Sequence, residues 1–125
     1  MAGTFFHHTS LDGLKGIMHD HKIKESGVDG RDAVHGQGVY LNRLGPEKSR
    51  EEVAKNNFGR GAEAMLKEGR GDVIVKVNVT EKNVQRASTE RNIFVHPGDI
   101  PTSKFTGIYL RNEEGKASTY KPKKI

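Results

Sequence analysis

The 125-residue chain contains no cysteine and no tryptophan. The first absence excludes disulfides, thiolate zinc sites and cysteine nucleophiles together. No apolar run approaches the ~20 residues of a membrane-spanning helix. Met1 to Ser10 also lacks the apolar core of a signal peptide. A soluble, cytoplasmic protein with no membrane partner is expected, with export by a dedicated toxin-secretion machine left open. Aromatic residues make up only 6%, and no basic run is interleaved with them, as a dedicated single-strand binder would show. No G-x-x-x-x-G-K-S/T occurs, no G-x-G-x-x-G opens a helix, and no serine sits in a nucleophile elbow. None of the six histidines pairs with another at i, i+4 beside a glutamate, so no metal site is expected.

What is present is charge and glycine. Charged residues reach 30% against 33% hydrophobic, which implies a small core under a charged surface. The length implies one domain over residues 1–125, with a core over about 5–111 and a basic tail over 116–125. A monomer is expected. The fifteen glycines point to many tight turns. The net charge of +5 attracts phosphate, whether on a nucleotide or a nucleic acid.

Periodicity divides the chain into short elements. Phe5 to Thr9 reads as a first strand, and Thr9 or Ser10 can cap a helix whose apolar face is Leu11, Leu14, Ile17 and Met18. That helix ends near His19 to Lys22, and Ile23 to Ser26 is extended. Gly36 and Gly38 bound a loop that enters a strand at Val39-Tyr40-Leu41. Pro46 is placed as the first residue of a charged helix reaching Asn56, and Ala62 to Lys67 forms another. Asp72 to Thr80 is the clearest strand, with Val73, Val75, Val77 and Val79 on one face and Ile74, Lys76 and Asn78 on the other. Further strands are expected over Ile93 to His96, Phe105 to Arg111 and Ala117 to Tyr120. Helices in the first half and strands in the second define an α+β chain.

Four residues carry chemical interest by type and place. Tyr40 leaves a glycine-bounded loop with backbone open to a flat guest, although a core tyrosine beside a tight turn has the same pattern. His7 and His8 are neighbours on a strand, so their side chains take opposite faces and only one is expected to serve a given site. Asp99 follows Pro97-Gly98, where a plain turn residue is the alternative.

The order of these segments resembles ADP-ribosyltransferases of the His-Tyr-Asp signature, a family found among polymorphic toxins and related proteins. Phe6-His7-His8-Thr9-Ser10 is similar to its H-Y/H-T-S. Leu14-Lys15-Gly16-Ile17 is similar to its G-L-x-G-I helix, and Gly36-Gln37-Gly38-Val39-Tyr40-Leu41 to its G-x-G-V-Y-L/F-T. Asn57-Phe58-Gly59-Arg60 and Val95-His96-Pro97-Gly98-Asp99-Ile100 extend the likeness over about residues 5 to 110.

The resemblance implies an ADP-ribosyltransferase-like split β-sheet core with short helices. It implies NAD as substrate, cleavage of the nicotinamide–ribose bond, and transfer of ADP-ribose to nucleic acid, nucleotide or protein. His7 would hydrogen-bond the adenosine ribose. The His8 backbone would hold the nicotinamide carboxamide, with Thr9 and Gly38 on the same wall. Tyr40 would stack on nicotinamide, and Arg60 would meet the pyrophosphate. Asp99 would be the signature acid that supports the reacting ribose. Asn92, at the usual position of the acid in His-Tyr-Glu relatives, would bind the same ribose, with Glu90 and Asp72 as further acids. The alternative is a non-catalytic module that senses NAD or ADP-ribose, or that binds nucleic acid through its basic surface.

Overall fold

The computed structural model describes residues 2–25, 37–58, 62–87 and 91–120, and everything below refers to these. Three antiparallel sheets and three short helices make an α+β structure. Strand β1 (Ala2–Thr9) pairs with β4 (Val73–Thr80), which pairs with β8 (Phe105–Arg111) and then the edge strand β9 (Ala117–Thr119). A second sheet joins β3 (Val39–Leu41), β6 (Phe94–His96) and β5 (Gln85–Arg86). A two-stranded pair, β2 (Lys22–Ile23) with β7 (Ile100–Pro101), is the third.

The alternation of β4 does what its pattern requires. Val73, Val75, Val77 and Val79 are all buried, and they face Phe5 of β1 in one cluster with Leu14, Ile17, Ile23, Val39, Leu41 and Ile100. Full burial of such side chains is worth about 1.5–3 kcal/mol each, so this cluster dominates the stability of the sheet–helix layer. Helix α1 (Leu11–Asp20) supplies Leu14 and Ile17. Ser10 is its cap, its hydroxyl accepting from the Gly13 N–H at 3.1 Å. Gly13 must be glycine for a contact reason, because a Cβ there would collide with the Thr9 hydroxyl.

Helix α2 spans Arg50–Phe58, and α3 spans Ala62–Lys67. The expected start of α2 at Pro46 is corrected: Pro46 lies in a turn, and Ser49 caps the helix instead. The Ser49 hydroxyl accepts from the Glu52 N–H at 3.1 Å, and Glu52 is the third residue in, as a capping pair demands. A serine cap satisfies an orphan N–H, which Pro46 cannot do. Arg50 ties the start of α2 to the start of β4 through Asp72 at 3.1 Å.

The first and second sheets meet at one backbone bridge among the described residues, Phe6 with Asn42. Arg43 reinforces this junction, its guanidinium 4.9 Å from the Phe5 ring centre and 5.1 Å from that of Phe94.

Candidate functional site: a cleft between diverging strands

Phe6 exchanges both backbone hydrogen bonds with Asn42, at 2.8 and 2.9 Å. In an antiparallel register the next such pair would be His8 with Tyr40. The two strands diverge before they reach it, since Phe6–Asn42 is their one backbone bridge among the described residues. The peptide groups of His8 point away from β4 by the same alternation, because Phe6 two residues earlier does so. They therefore turn toward the gap. A cleft of about 420 Å³ opens there, within the usual size of small-molecule sites.

The Tyr40 carbonyl accepts from His7 Nδ1–H at 3.0 Å. A carbonyl only accepts, so Nδ1 carries the proton, and the neutral ring keeps its lone pair on Nε2. Burial holds the His7 pKa below its ordinary value, against the smaller opposing pull of the Tyr40 carbonyl. His8 is fixed on the other face. Its Nε2–H is shared between the Leu44 carbonyl at 2.9 Å and Asn42 Oδ1 at 3.1 Å. Burial pushes the His8 pKa down to about 4.

Both histidines line the cleft. The two rings are held by different partners, His7 by the Tyr40 carbonyl and His8 by Leu44 and Asn42, as side chains on opposite faces of one strand require. Thr9 and Tyr40 line the cleft too.

Other expected residues stand elsewhere. Gly38 lies outside the cleft lining, packed against β6, where a Cβ would fall 2.7 Å from the His96 carbonyl oxygen. Asn92 is likewise outside, and its Oδ1 accepts from the Arg43 N–H at 3.0 Å. Asp99 does not join His7 and Tyr40. Its carboxylate accepts from the Glu25 N–H at 2.9 Å and pairs with Lys22 at 3.2 Å, bracing the β2–β7 pair. The Glu25 N–H, and then Lys22, hold the Asp99 carboxyl below the usual carboxylate range. Asp72 is engaged by Arg50. Arg60, Gly36 and Glu90 lie outside the described residues.

Lys24, Asn42, Asn57 and Arg70 are among the lining residues that were not anticipated. Asn42 had a faint signal, a polar residue closing the apolar run Val39-Tyr40-Leu41. It is 1% exposed, and its side chain bonds His8, Leu44 and Asn57. Asn57 stood in a quoted motif without a role, and Arg70 had no local signal. Among the described residues the lining carries two obligate cations, Lys24 and Arg70, and no Asp or Glu. The described residues hold no cluster of three or more His, Cys, Asp and Glu side chains that could take a metal. No protein-family model, curated protein or solved structure matches the chain.

Proposed function

We propose that the cleft binds NAD and that the chain is an ADP-ribosyltransferase, its four- and three-stranded sheets being the two halves of a split β-sheet core. One observation carries the reading: β1 and β3 part beyond Phe6–Asn42, and the resulting gap is walled by His7, His8, Thr9 and Tyr40. These are four of the residues to which the resemblance gives the nucleotide; Gly38, Asn92 and Asp99, which it also names, stand outside the lining.

In this reading each group has work suited to its state. His7 Nε2 accepts from a ribose hydroxyl. The outward-turned peptide groups of His8 pair with the carboxamide, and the Tyr40 ring covers the nicotinamide face. When the bond from the ribose anomeric carbon to nitrogen breaks, its electron pair stays on nicotinamide, which leaves neutral. The acceptor's nucleophilic atom bonds to the anomeric carbon and releases its proton. A nucleic acid, a nucleotide or a protein can supply that atom.

The test is nicotinamide release from NAD by purified protein, alone and with RNA, DNA, nucleotides or a protein lysate. Release that falls at least tenfold in both His7→Ala and Tyr40→Ala is expected. Undiminished release in Tyr40→Ala would refute the placement of the nicotinamide.

A second reading rests on a specific observation, the missing carboxylate in the described lining. A developing positive charge on the ribose has no anion facing it there. The cleft then binds NAD or ADP-ribose without cleaving it. Tight NAD binding with no nicotinamide release under any acceptor would establish this alternative.

A further inference from the structure

A chain of side-chain amides runs from the cleft wall into α2; backbone groups fix the direction of Asn42 and Asn56, and these two fix Asn57. The Leu44 N–H donates to Asn42 Oδ1 at 2.9 Å, so the Asn42 amide nitrogen faces the other way and donates to Asn57 Oδ1 at 3.0 Å. The Asn92 N–H donates to Asn56 Oδ1 at 2.8 Å, and Asn56 Nδ2 donates back to the Asn92 carbonyl at 2.8 Å. Asn56 Nδ2 also donates to Asn57 Oδ1 at 3.0 Å. The Asn57 oxygen is thereby claimed twice. Its NH2 must point away from both donors, and it is not among the buried atoms lacking a partner. Asn57 lines the cleft, and its NH2 lies on the side of the amide opposite the two donors that hold its oxygen. Arg70 lines the same cleft; Glu68 takes its Nε at 3.1 Å, and its planar fork has further donors.

We propose that Asn57 Nδ2 and the Arg70 guanidinium form an oxyanion subsite that takes a phosphate group of the cleft's ligand. The outward Asn57 amide supplies only donors, and the Arg70 guanidinium keeps donors beyond the one that Glu68 takes, with no carboxylate in the described lining; such a set suits an anion better than a neutral polar group. The orientation of Asn57 is set before the ligand arrives, which removes an ordering cost from binding. This subsite rests on the nucleotide reading of the cleft and specifies which atoms grip the phosphate.

Asn57→Asp tests it cleanly. The substitution keeps an oxygen for Asn42 and Asn56, and it replaces the two outward donors by a negative oxygen. Binding of ADP-ribose, NAD, adenosine and inorganic pyrophosphate is measured by calorimetry on wild type, Asn57→Asp and Arg70→Gln. The Asn57 side-chain amide is followed by NMR as pyrophosphate is added. The expected result is a shift of that amide with pyrophosphate. Loss of about tenfold or more in ADP-ribose and pyrophosphate affinity is expected in each variant, with adenosine affinity unchanged. ADP-ribose binding that is the same in wild type and both variants would overturn the subsite and leave the nucleotide reading standing. Pyrophosphate moving the Asn57 amide while neither NAD nor ADP-ribose binds would keep the subsite and end the nucleotide reading. Silence of every probe would end both.

Discussion

His8 donates from Nε2 to two oxygens, and its Nδ1 is buried with no partner. A proton added at Nδ1 would find no acceptor there and would place a charge in a buried site. With a pKa of about 4 in the fold and an ordinary value of 6.5, the unfolded chain binds this proton first. Stability is therefore full above pH ~7, falls as the pH drops through the unfolded value, and levels off near pH 4. The difference is worth up to roughly 3 kcal/mol. His7, also depressed by burial, acts in the same direction. Chemical denaturation at pH 7.5 and pH 5 is expected to show this loss, and His8→Asn to reduce it. An identical pH slope in that variant would locate the effect elsewhere. Asn42 is the other decisive residue. Asn42→Ala strands the Leu44 N–H and one bond each of His8 and Asn57, and is expected to cost about 2 kcal/mol or more in an unfolding titration.

At the scale of elements, α1 meets β1 through one missing side chain. Gly13→Ala improves helix propensity by up to about 1 kcal/mol but drives a methyl group into the Thr9 hydroxyl, and overpacking costs about 1–3 kcal/mol. A net loss in Tm is expected for Gly13→Ala. Thr9→Ala should reverse the sign, making alanine at position 13 stabilising in the double variant. Strands β2 and β7 depend on different forces. Asp99→Asn removes an exposed pair with Lys22, 43% and 36% exposed, and is expected to lower stability by less than about 1 kcal/mol. Nucleotide affinity should be unchanged, because Asp99 is not in the cleft lining. A large loss of NAD binding in that variant would return the acid to the site.

Local elements whose signal is periodic were legible in the chain. The valines of β4, Leu14 and Ile17 of α1 and the run Phe105–Arg111 stand where alternation and helical spacing put them, whereas Leu11, expected on the same apolar face, is 53% exposed at the first residue of the helix. Strands of two residues, β5 and β7, carry no period and were missed. Helix α2 starts after Ser49 rather than at Pro46, because the Ser49 hydroxyl satisfies a helix N–H directly.

At the scale of the whole molecule, a net charge of +5 lies over a chain with 30% charged residues. Non-specific attraction to nucleic acid and binding in the cleft then answer salt differently. Affinity for a random RNA is expected to fall ~tenfold or more between 50 and 200 mM salt. ADP-ribose binding, made by a few groups in a walled site, should change far less. Equal salt dependence of the two would show that both use the open surface. Among the described residues no helix is long and apolar enough to cross a membrane.

By itself, the order of residues determined the α+β class, the buried valine face and the nearness of Tyr40 to a strand entrance. Each follows from interactions within a few residues, where period and propensity act. Only the tertiary structure decided what the cleft contains. It aimed the Asn57 amide through Leu44 and Asn92, brought Arg70 to the wall, and turned Asp99 toward Lys22. Those placements depend on partners far apart in the chain. Which oxygen meets which N–H is settled only when strands β1 and β3 part and α2 packs beside them.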